Sequence, residues 1–523
     1  MSDEGEHELL PSAVQLTHMG GPSLGSEALI EADEVAALLA SREAGGAAMR
    51  GGAMRVAGYI INAALGAVSA AFLFRHLGRH NVGTYVTALS IAAIVAGLSD
   101  LGLTALGLRE LSVRDAEGRA RLMRNLLGLR VALTLLGIAG SVTFSVAVGY
   151  SPLLVAGVAL AGAGLMLQNI QATLALSLMS RLRLGLVTAT ELASQTLNAG
   201  LTIALVVIGA SLLYFIGLAI PLGVIFLALT AWLVRSEVPL LPQFDRAEWR
   251  LLAREVLPYS AAVALGVVYF RLSVIVVSLT ASSVQLSYFS TSFRILEALI
   301  VIPGLMVAAA FPIFAHSAID DRERFAYAVS RVFVIALIVG LGFALALAIG
   351  APFAIEAIGG PAFAKATGVL QIQAFGLCGS FISAVWGMAL ISLRRNRQLV
   401  VVNLGALVLG TILVVLLASR WGAEGAAAGT AITELLLAAS VPLVLLRTDP
   451  QVVPSMRVVP RVLLAGALAA TVVLIPGLPA VAAAALASVA YFVILLAVHA
   501  IPDEILAELR SLRARRSPRR RAA

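Results

Sequence analysis

Fourteen apolar stretches, each about as long as a lipid bilayer is thick, follow one another from residue 55 to residue 500 with short links between them. A helix rises about 1.5 Å per residue, so roughly 20 apolar residues cross the hydrocarbon core, and within lipid every backbone N–H and C=O must be bonded inside its own segment. A chain that repeats this pattern fourteen times has one fold class open to it, an all-α integral membrane protein. The spans run 55–77, 83–108, 125–148, 151–178, 186–208 and 212–234, then 255–280, 286–315, 326–350, 366–392, 398–418, 423–447, 458–476 and 480–500. With 60% hydrophobic and 13% charged residues, little of the chain is left for a soluble module.

Arginine falls on alternate links. Arg109, Arg114, Arg119, Arg121 and Arg124 follow the second span, Arg181 and Arg183 the fourth, and Arg235, Arg246, Arg250 and Arg254 surround the link between the sixth and seventh. Arg322 and Arg324, then Arg394, Arg395 and Arg397, then Arg447 and Arg457 continue the series, while the intervening links at 149–152, 209–211 and 281–285 carry no charge. Positively charged links stay in the cytoplasm, which predicts a bacterial inner-membrane protein with both termini inside. Arg75, Arg79, Lys365 and Arg420 depart from the alternation.

The ends differ from the middle. Residues 1–54 open with Asp3, Glu4, Glu6 and Glu8, lack the basic and apolar regions of a signal peptide, and read as an acidic, disordered cytoplasmic tail, with one amphipathic helix capped by Ser26 as the exception. Residues 501–523 place Ile505, Leu506, Leu509 and Leu512 on one face ahead of Arg513, Arg515, Arg516 and Arg519 to Arg521, a basic amphipathic tail suited to anionic phospholipid. Between them the organisation is an N-lobe at 55–234, a cytoplasmic linker at 235–254, a C-lobe at 255–447 and two further spans in 448–500. Nucleic acid is not an expected partner, because the arginines are scattered over links with no aromatic-rich module.

Several chemistries are excluded by residue counts. Lys365 is the only lysine and lies outside any GxxxxGK[ST] motif, and Cys378 is the only cysteine. Of His7, His18, His76, His80, His316 and His499, only His76 and His80 share helical spacing, at an outer helix end where solvation outweighs a metal role. The longest outer link, 351–365, offers Glu356 as its one acid. No cofactor or metal is expected, and transport, not catalysis, suits so many helices with so little outside them. Internal repetition agrees. Residues 82–103 align in order with 286–307, and 179–197 with 392–409, as expected for two six-helix lobes related by an axis along the membrane normal.

Three segments carry a resemblance: RHLGRHNVGTYVTALSIAAIVAGLSDLGL (75–103), SYFSTSFRILEALIVIPGLMVAAAFPIFA (287–315) and RRNRQLVVVNLGALVLGTILVVLLASRWGAEGAAAGTAITELL (394–436). In these the chain resembles the polysaccharide transporter, or oligosaccharide flippase, family of the multidrug/oligosaccharidyl-lipid/polysaccharide (MOP) superfamily, over about residues 55–500. The resemblance implies alternating-access flipping of undecaprenyl-diphosphate-linked oligosaccharide for exopolysaccharide, capsule or O-antigen synthesis, with a polysaccharide polymerase or other assembly proteins as partners. The acidic N-terminal tail departs from the family, as does the seventh span, where Phe270 and Leu272 flank Arg271 in place of an Asp. Alternatives are a multidrug or cation exporter of the same superfamily, a peptidoglycan-precursor flippase, and a non-transporting scaffold.

Charge inside a span is costly and faces a cavity or a partner. Arg271 and Arg294 lie about 12 and 11 residues from Ser283, at the turn joining spans seven and eight, which puts both at roughly 17 Å depth. Two cations at one depth repel unless an anion lies between them, and a diphosphate offers oxygens for bidentate guanidinium contacts. They are the predicted diphosphate ligands; the competing reading pairs Arg294 with Glu297 one turn on and leaves Arg271 to a carbonyl. Glu191, Glu434 and Glu297 are candidates for ion coupling. Asn62, Gln168, Gln171, Gln195, Asn198, Gln371, Gln373 and Asn403 are candidates for sugar contacts, or else for interhelical hydrogen bonds. Trp386 and Tyr269 are alternatives between sugar stacking and packing, and Asp100 is expected to cap its helix or pair with Arg109.

Overall fold

The computed structural model describes residues 42–500 apart from Leu101 and Leu182. The chain divides into two units at Ile61 and Asn62; the first contributes helical residues 42–61, and the second carries the membrane bundle. The expectations for Ser26 and for the basic segment beyond residue 500 lie outside the described residues.

In order, the helices are α1 (Arg42–Asp100), α2 (Leu103–Val113), α3 (Ala116–Ala147), α4 (Pro152–Ser180), α5 (Leu184–Val207), α6 (Leu212–Gly217) and α7 (Ala219–Val234). They continue with α8 (Arg246–Thr280), α9 (Ser283–Leu299), α10 (Val301–Asp320), α11 (Arg322–Gly359), α12 (Ala366–Ser392), α13 (Asn396–Thr448), α14 (Val458–Ala470) and α15 (Ala480–Ala497). Their starts are set by side chains that accept orphan N–H groups: Asp115 from Gly118, Ser151 from Leu154 ahead of Pro152, Asp245 from Ala247, Ser282 from Gln285 and Asp321 from Arg324. Nine helices among the described residues are long and apolar enough to cross a membrane.

Two of them are hairpins. The stretch Ile61–Ser112 has 52 residues, roughly 78 Å if straight, which is more than twice the hydrocarbon thickness. Its helix breaks at Gly78, where φ is 65° and ψ 177°. In α13 the break is Gly422, with φ 57° and ψ −131°. Gly425 there lies against the backbone of Leu417, Gly429 against Val414 and Gly410 against Thr433, so the arms run antiparallel on a seam of glycines. Only glycine accepts these φ values without strain. With both arms of each hairpin, α5, and the shorter apolar helices Ala264–Thr280 and Val458–Leu474, a helix lies over each of the fourteen expected spans.

Some boundaries moved. Residues 42–54, expected in a disordered tail, are helical from Arg42, because extending a formed helix costs far less than nucleating one. The last part of the linker is helical from Arg246. The eighth span is two helices joined at Ile300, since Pro303 lacks the N–H that would bond to Leu299. The expected outer link at 351–365 is helical to Gly359 and then a short 3-10 turn at Pro361–Phe363.

α4 and α12 occupy similar places in the packing. α4, the fourth span, packs on α3 and α7, and α12, the tenth, packs on α11 and α13. Gly164 of α4 meets Ala219 of α7, and Gly376 of α12 meets Ala431 of α13; each pair is 55 residues apart, and the second lies 212 residues beyond the first. A side chain at either glycine would push the helices apart. The last two passes dock on α11, where the Tyr491 hydroxyl donates to the carbonyl of Ile338 at 3.0 Å.

The linker is fastened to the N-lobe on the arginine-rich face. Gln243 N–H donates to the Arg124 carbonyl at 2.9 Å, and Trp249 Nε1 to that of Asn125 at 3.2 Å. Arg114 pairs with Glu248 at 3.5 Å, and Arg183 with Glu237 at 3.0 Å. On the arginine-poor face the lobes meet directly. Gly83 N–H donates to Ser287 Oγ at 2.8 Å, and the hydroxyls of Tyr150 and Ser278 bond at 2.5 Å. Arg75 Nη2 donates to the carbonyls of Glu356 and Ala357 at 2.9 and 2.8 Å, at the C-terminal end of α11, where the Glu356 carbonyl also accepts from Gly360 N–H at 3.0 Å. That contact accounts for one of the four cations that depart from the alternation.

Arg75→Ala is expected to loosen this face. Charge-assisted bonds contribute about 1.5–3 kcal/mol, enough to move a two-state equilibrium about tenfold or more toward opening there. Spin labels at His80→Cys and Ala362→Cys, both exposed positions flanking the contact, should show a longer distance population in the Arg75→Ala background; an unchanged distribution would refute the role.

Candidate functional site

Arg271 on α8 and Arg294 on α9 both reach the carboxylate of Glu297. Arg271 Nη2 bonds Oε1, and Arg294 Nη1 lies 2.8 Å from Oε2. Each oxygen therefore serves one guanidinium, and the anion that two cations at one depth require is supplied by the chain itself. The i, i+3 partnership of Arg294 and Glu297 was legible, whereas the share taken by Arg271 was not, because it depends on how α8 is rotated against α9. The Arg271 guanidinium also lies 5.9 Å from the Phe270 ring centre and 5.7 Å from that of Phe293, a cation–π seat independent of the carboxylate. Tyr85 of the second pass interacts electrostatically with Arg294 and Glu297, so the cluster faces the N-lobe. It lies between two lobe-to-lobe contacts, Gly83 with Ser287 nearer the arginine-poor face and Gly97 with Val267 deeper in. Arg294 is 45% exposed and Arg271 19%.

Glu434 sits elsewhere, within the C-lobe. Tyr269 donates to its Oε1 at 3.0 Å and Ser380 to its Oε2 at 2.9 Å. These three, with Ser383 and Asn403, line a cavity of about 390 Å³ beside Phe270, the neighbour of Arg271. Tyr269, a candidate for sugar stacking, is thereby a carboxylate partner. Trp386 is fully buried against Phe333, with ring centres 5.4 Å apart, which is the packing alternative.

The remaining candidates are dispersed. Glu191 and Gln168 are exposed on α5 and α4. Gln371 donates to the Ala348 carbonyl at 3.2 Å, and Gln373 accepts from Ser292, both interhelical bonds within the C-lobe. Gln195 approaches Gly66, joining the first and fifth passes. Asn62, Gln171 and Asn198 are half-buried, and Asn62 Oδ1 has no partner among the described residues. Asp100 does not pair with Arg109, which bonds its neighbour Glu110 at 2.8 Å. It binds Arg130 from the third pass and accepts from Thr104 at 2.5 Å. Arg130, overlooked as a candidate, is 6% exposed and also reaches Thr173 at 3.4 Å. An arginine inside NLLGLRVALTLLG was the signal, since an intramembrane cation needs an intramembrane acid. His76 bonds the Ala210 carbonyl at 2.8 Å, and the break at Gly78 separates it from His80, so the two do not share one helix face.

No protein-family model matches the chain, and no curated protein matches it in sequence. Solved structures do. The lipid II flippase MurJ in an inward closed conformation superposes with a TM-score of 0.67 at 11% identity, over 84% of this chain and 97% of that one. An inward-facing multidrug resistance MATE family transporter of the MOP superfamily gives 0.59 at 15% identity, over 75% and 98%. The chain has the fold of the MOP-superfamily transporters. An outward-facing MATE family transporter of that superfamily gives a TM-score of 0.53 at 14% identity, over 75% of this chain and 96% of that one. At these identities the MOP fold is common to all three, while their substrates are their own.

Proposed function

We propose that the protein is a flippase that carries a lipid with a diphosphate-linked oligosaccharide between bilayer leaflets by alternating access. The observation that carries this reading is the cluster of Arg271, Arg294 and Glu297, with Tyr85 of the second pass as its electrostatic neighbour. Two guanidiniums at one depth in a low-dielectric setting are suited to a headgroup with two adjacent phosphates, and they would repel the cations taken by a drug exporter. Neutral amides such as Asn198 and Gln171 then serve the sugar. The arginine-rich face is assigned to the cytoplasm, with loading there and release on the far side of an inner membrane, in service of polysaccharide assembly. Glu434, held by Tyr269 and Ser380 in the C-lobe cavity, is the acid assigned to ion coupling. Glu191, exposed and remote from these groups, is set aside.

That same carboxylate favours one second reading, a cation exporter whose cargo binds at Glu434. Flipping of a fluorescent undecaprenyl-diphosphate oligosaccharide in proteoliposomes separates the two. Arg271→Ala and Arg294→Ala are each expected to slow it at least about tenfold at equal reconstitution, the loss of one charge-assisted contact. Flipping unaffected by either change would remove the site, and cation efflux without lipid flipping would establish the exporter. A lipid with a peptidoglycan-type headgroup in parallel reads out the alternative glycan.

A further inference from the structure

We propose that Glu297 is a resident counter-anion that sets a charge threshold at the arginine pair, so that a diphosphate lipid displaces it and a singly charged phospholipid headgroup does not. This rests on the arginine pair being the headgroup site. The cluster holds two positive charges and one negative, with both carboxylate oxygens engaged, one by each guanidinium. The carboxylate is tethered three residues from Arg294 on the same helix, so its effective concentration at the guanidiniums far exceeds that of any free competitor.

An incoming phosphodiester with one negative charge exchanges one such ion pair for another and must also free the tethered group, so it gains nothing. A diphosphate diester carries two charges on adjacent phosphates, satisfies both guanidiniums at once, and leaves neither unpaired. The difference matters because a site between the lobes at mid-bilayer depth is surrounded by phospholipids in vast excess over any carrier lipid. Arg271 keeps its seat when the carboxylate leaves, because its guanidinium also lies over the Phe270 and Phe293 rings. Between substrates, Glu297 returns and spares the empty protein two uncompensated cations at mid-membrane.

The test is competition in nanodiscs with geranyl-diphosphoryl-N-acetylglucosamine as the diphosphate probe and phosphatidylglycerol as the competitor. In the wild type, phosphatidylglycerol at about a hundredfold excess should leave probe binding unchanged, the result a tethered competitor predicts; competition at comparable concentrations would overturn the proposal without any variant. In Glu297→Gln, phosphatidylglycerol should compete about tenfold or more better relative to the probe, and Glu297→Asp, which keeps the charge, should restore discrimination. A selectivity ratio unchanged in Glu297→Gln, or one that Glu297→Asp fails to restore, refutes it. Arg271→Gln and Arg294→Gln tell this failure from that of the underlying reading. If both still bind the probe as wild type does, the headgroup site is elsewhere; if they lose it while Glu297→Gln keeps wild-type selectivity, only the threshold is wrong.

Discussion

Asp100→Ala is expected to destabilise the N-lobe by about 3–5 kcal/mol, because it strands a buried guanidinium. Arg130 is 6% exposed, and Asp100 is its only ionic partner among the described residues; the threonine hydroxyls at Thr104 and Thr173, at 3.3 and 3.4 Å, are weak substitutes for a charge. Removing one member of such a pair costs far more than removing both, since the penalty lies in the charge left behind. The double variant Asp100→Leu with Arg130→Met, apolar and of comparable volume, should therefore recover most of the lost stability. Thermal scanning in detergent, followed by size-exclusion chromatography, checks both. A single variant as stable as the wild type, or a double variant worse than the single, would show that the pair does not hold this lobe together.

Gly425→Ala should be comparably damaging for a steric reason. A Cβ at that position would sit 2.0 Å from the carbonyl oxygen of Leu417 in the opposite arm of the α13 hairpin, and the obstacle is backbone, which has no rotamer to move into. The arms must separate, and Gly429 against Val414 and Gly410 against Thr433 lose their approach with them. The expected cost is at least about 3 kcal/mol, at the upper end for overpacking. Gly405→Ala is the control: it lies on the same helix, nothing stands within 4 Å of its Cβ position, and the change should be neutral or stabilise by up to about 1 kcal/mol through helix propensity. Equal melting temperatures for the two variants would refute the hairpin argument.

The passes were readable from sequence because hydropathy and length are sufficient to specify a membrane helix. The hairpin turns at Gly78 and Gly422 were placed within a few residues for the same reason. The order of elements was legible, whereas the crossings of small residues that the two halves share, Gly164 on Ala219 and Gly376 on Ala431, were not, since each rests on two single letters 55 residues apart. Depth along a helix could be counted, so Arg271 and Arg294 were put at one level. Rotation about the helix axis could not, so the single carboxylate joining them was seen from one side only. Asp100 was expected to cap its helix or to pair with the arginine nearest in sequence, Arg109, when its partner lay 30 residues on, in the next pass. The latch made by Arg75 was visible only as an exception to the charge pattern, because its acceptors are backbone carbonyls, which no sequence motif marks.

The 212-residue offset between the two glycine crossings has a historical reading. A half-length ancestor whose copies paired across a two-fold axis would have had to meet every demand with one set of residues, presenting on each side whatever it presented on the other. Two halves joined in one chain are free of that demand. In this chain the first half pairs Asp100 with Arg130, the second gathers Arg271 and Arg294 on Glu297, and two further helices pack against α11. A chain built of two unlike halves can therefore change one without changing the other.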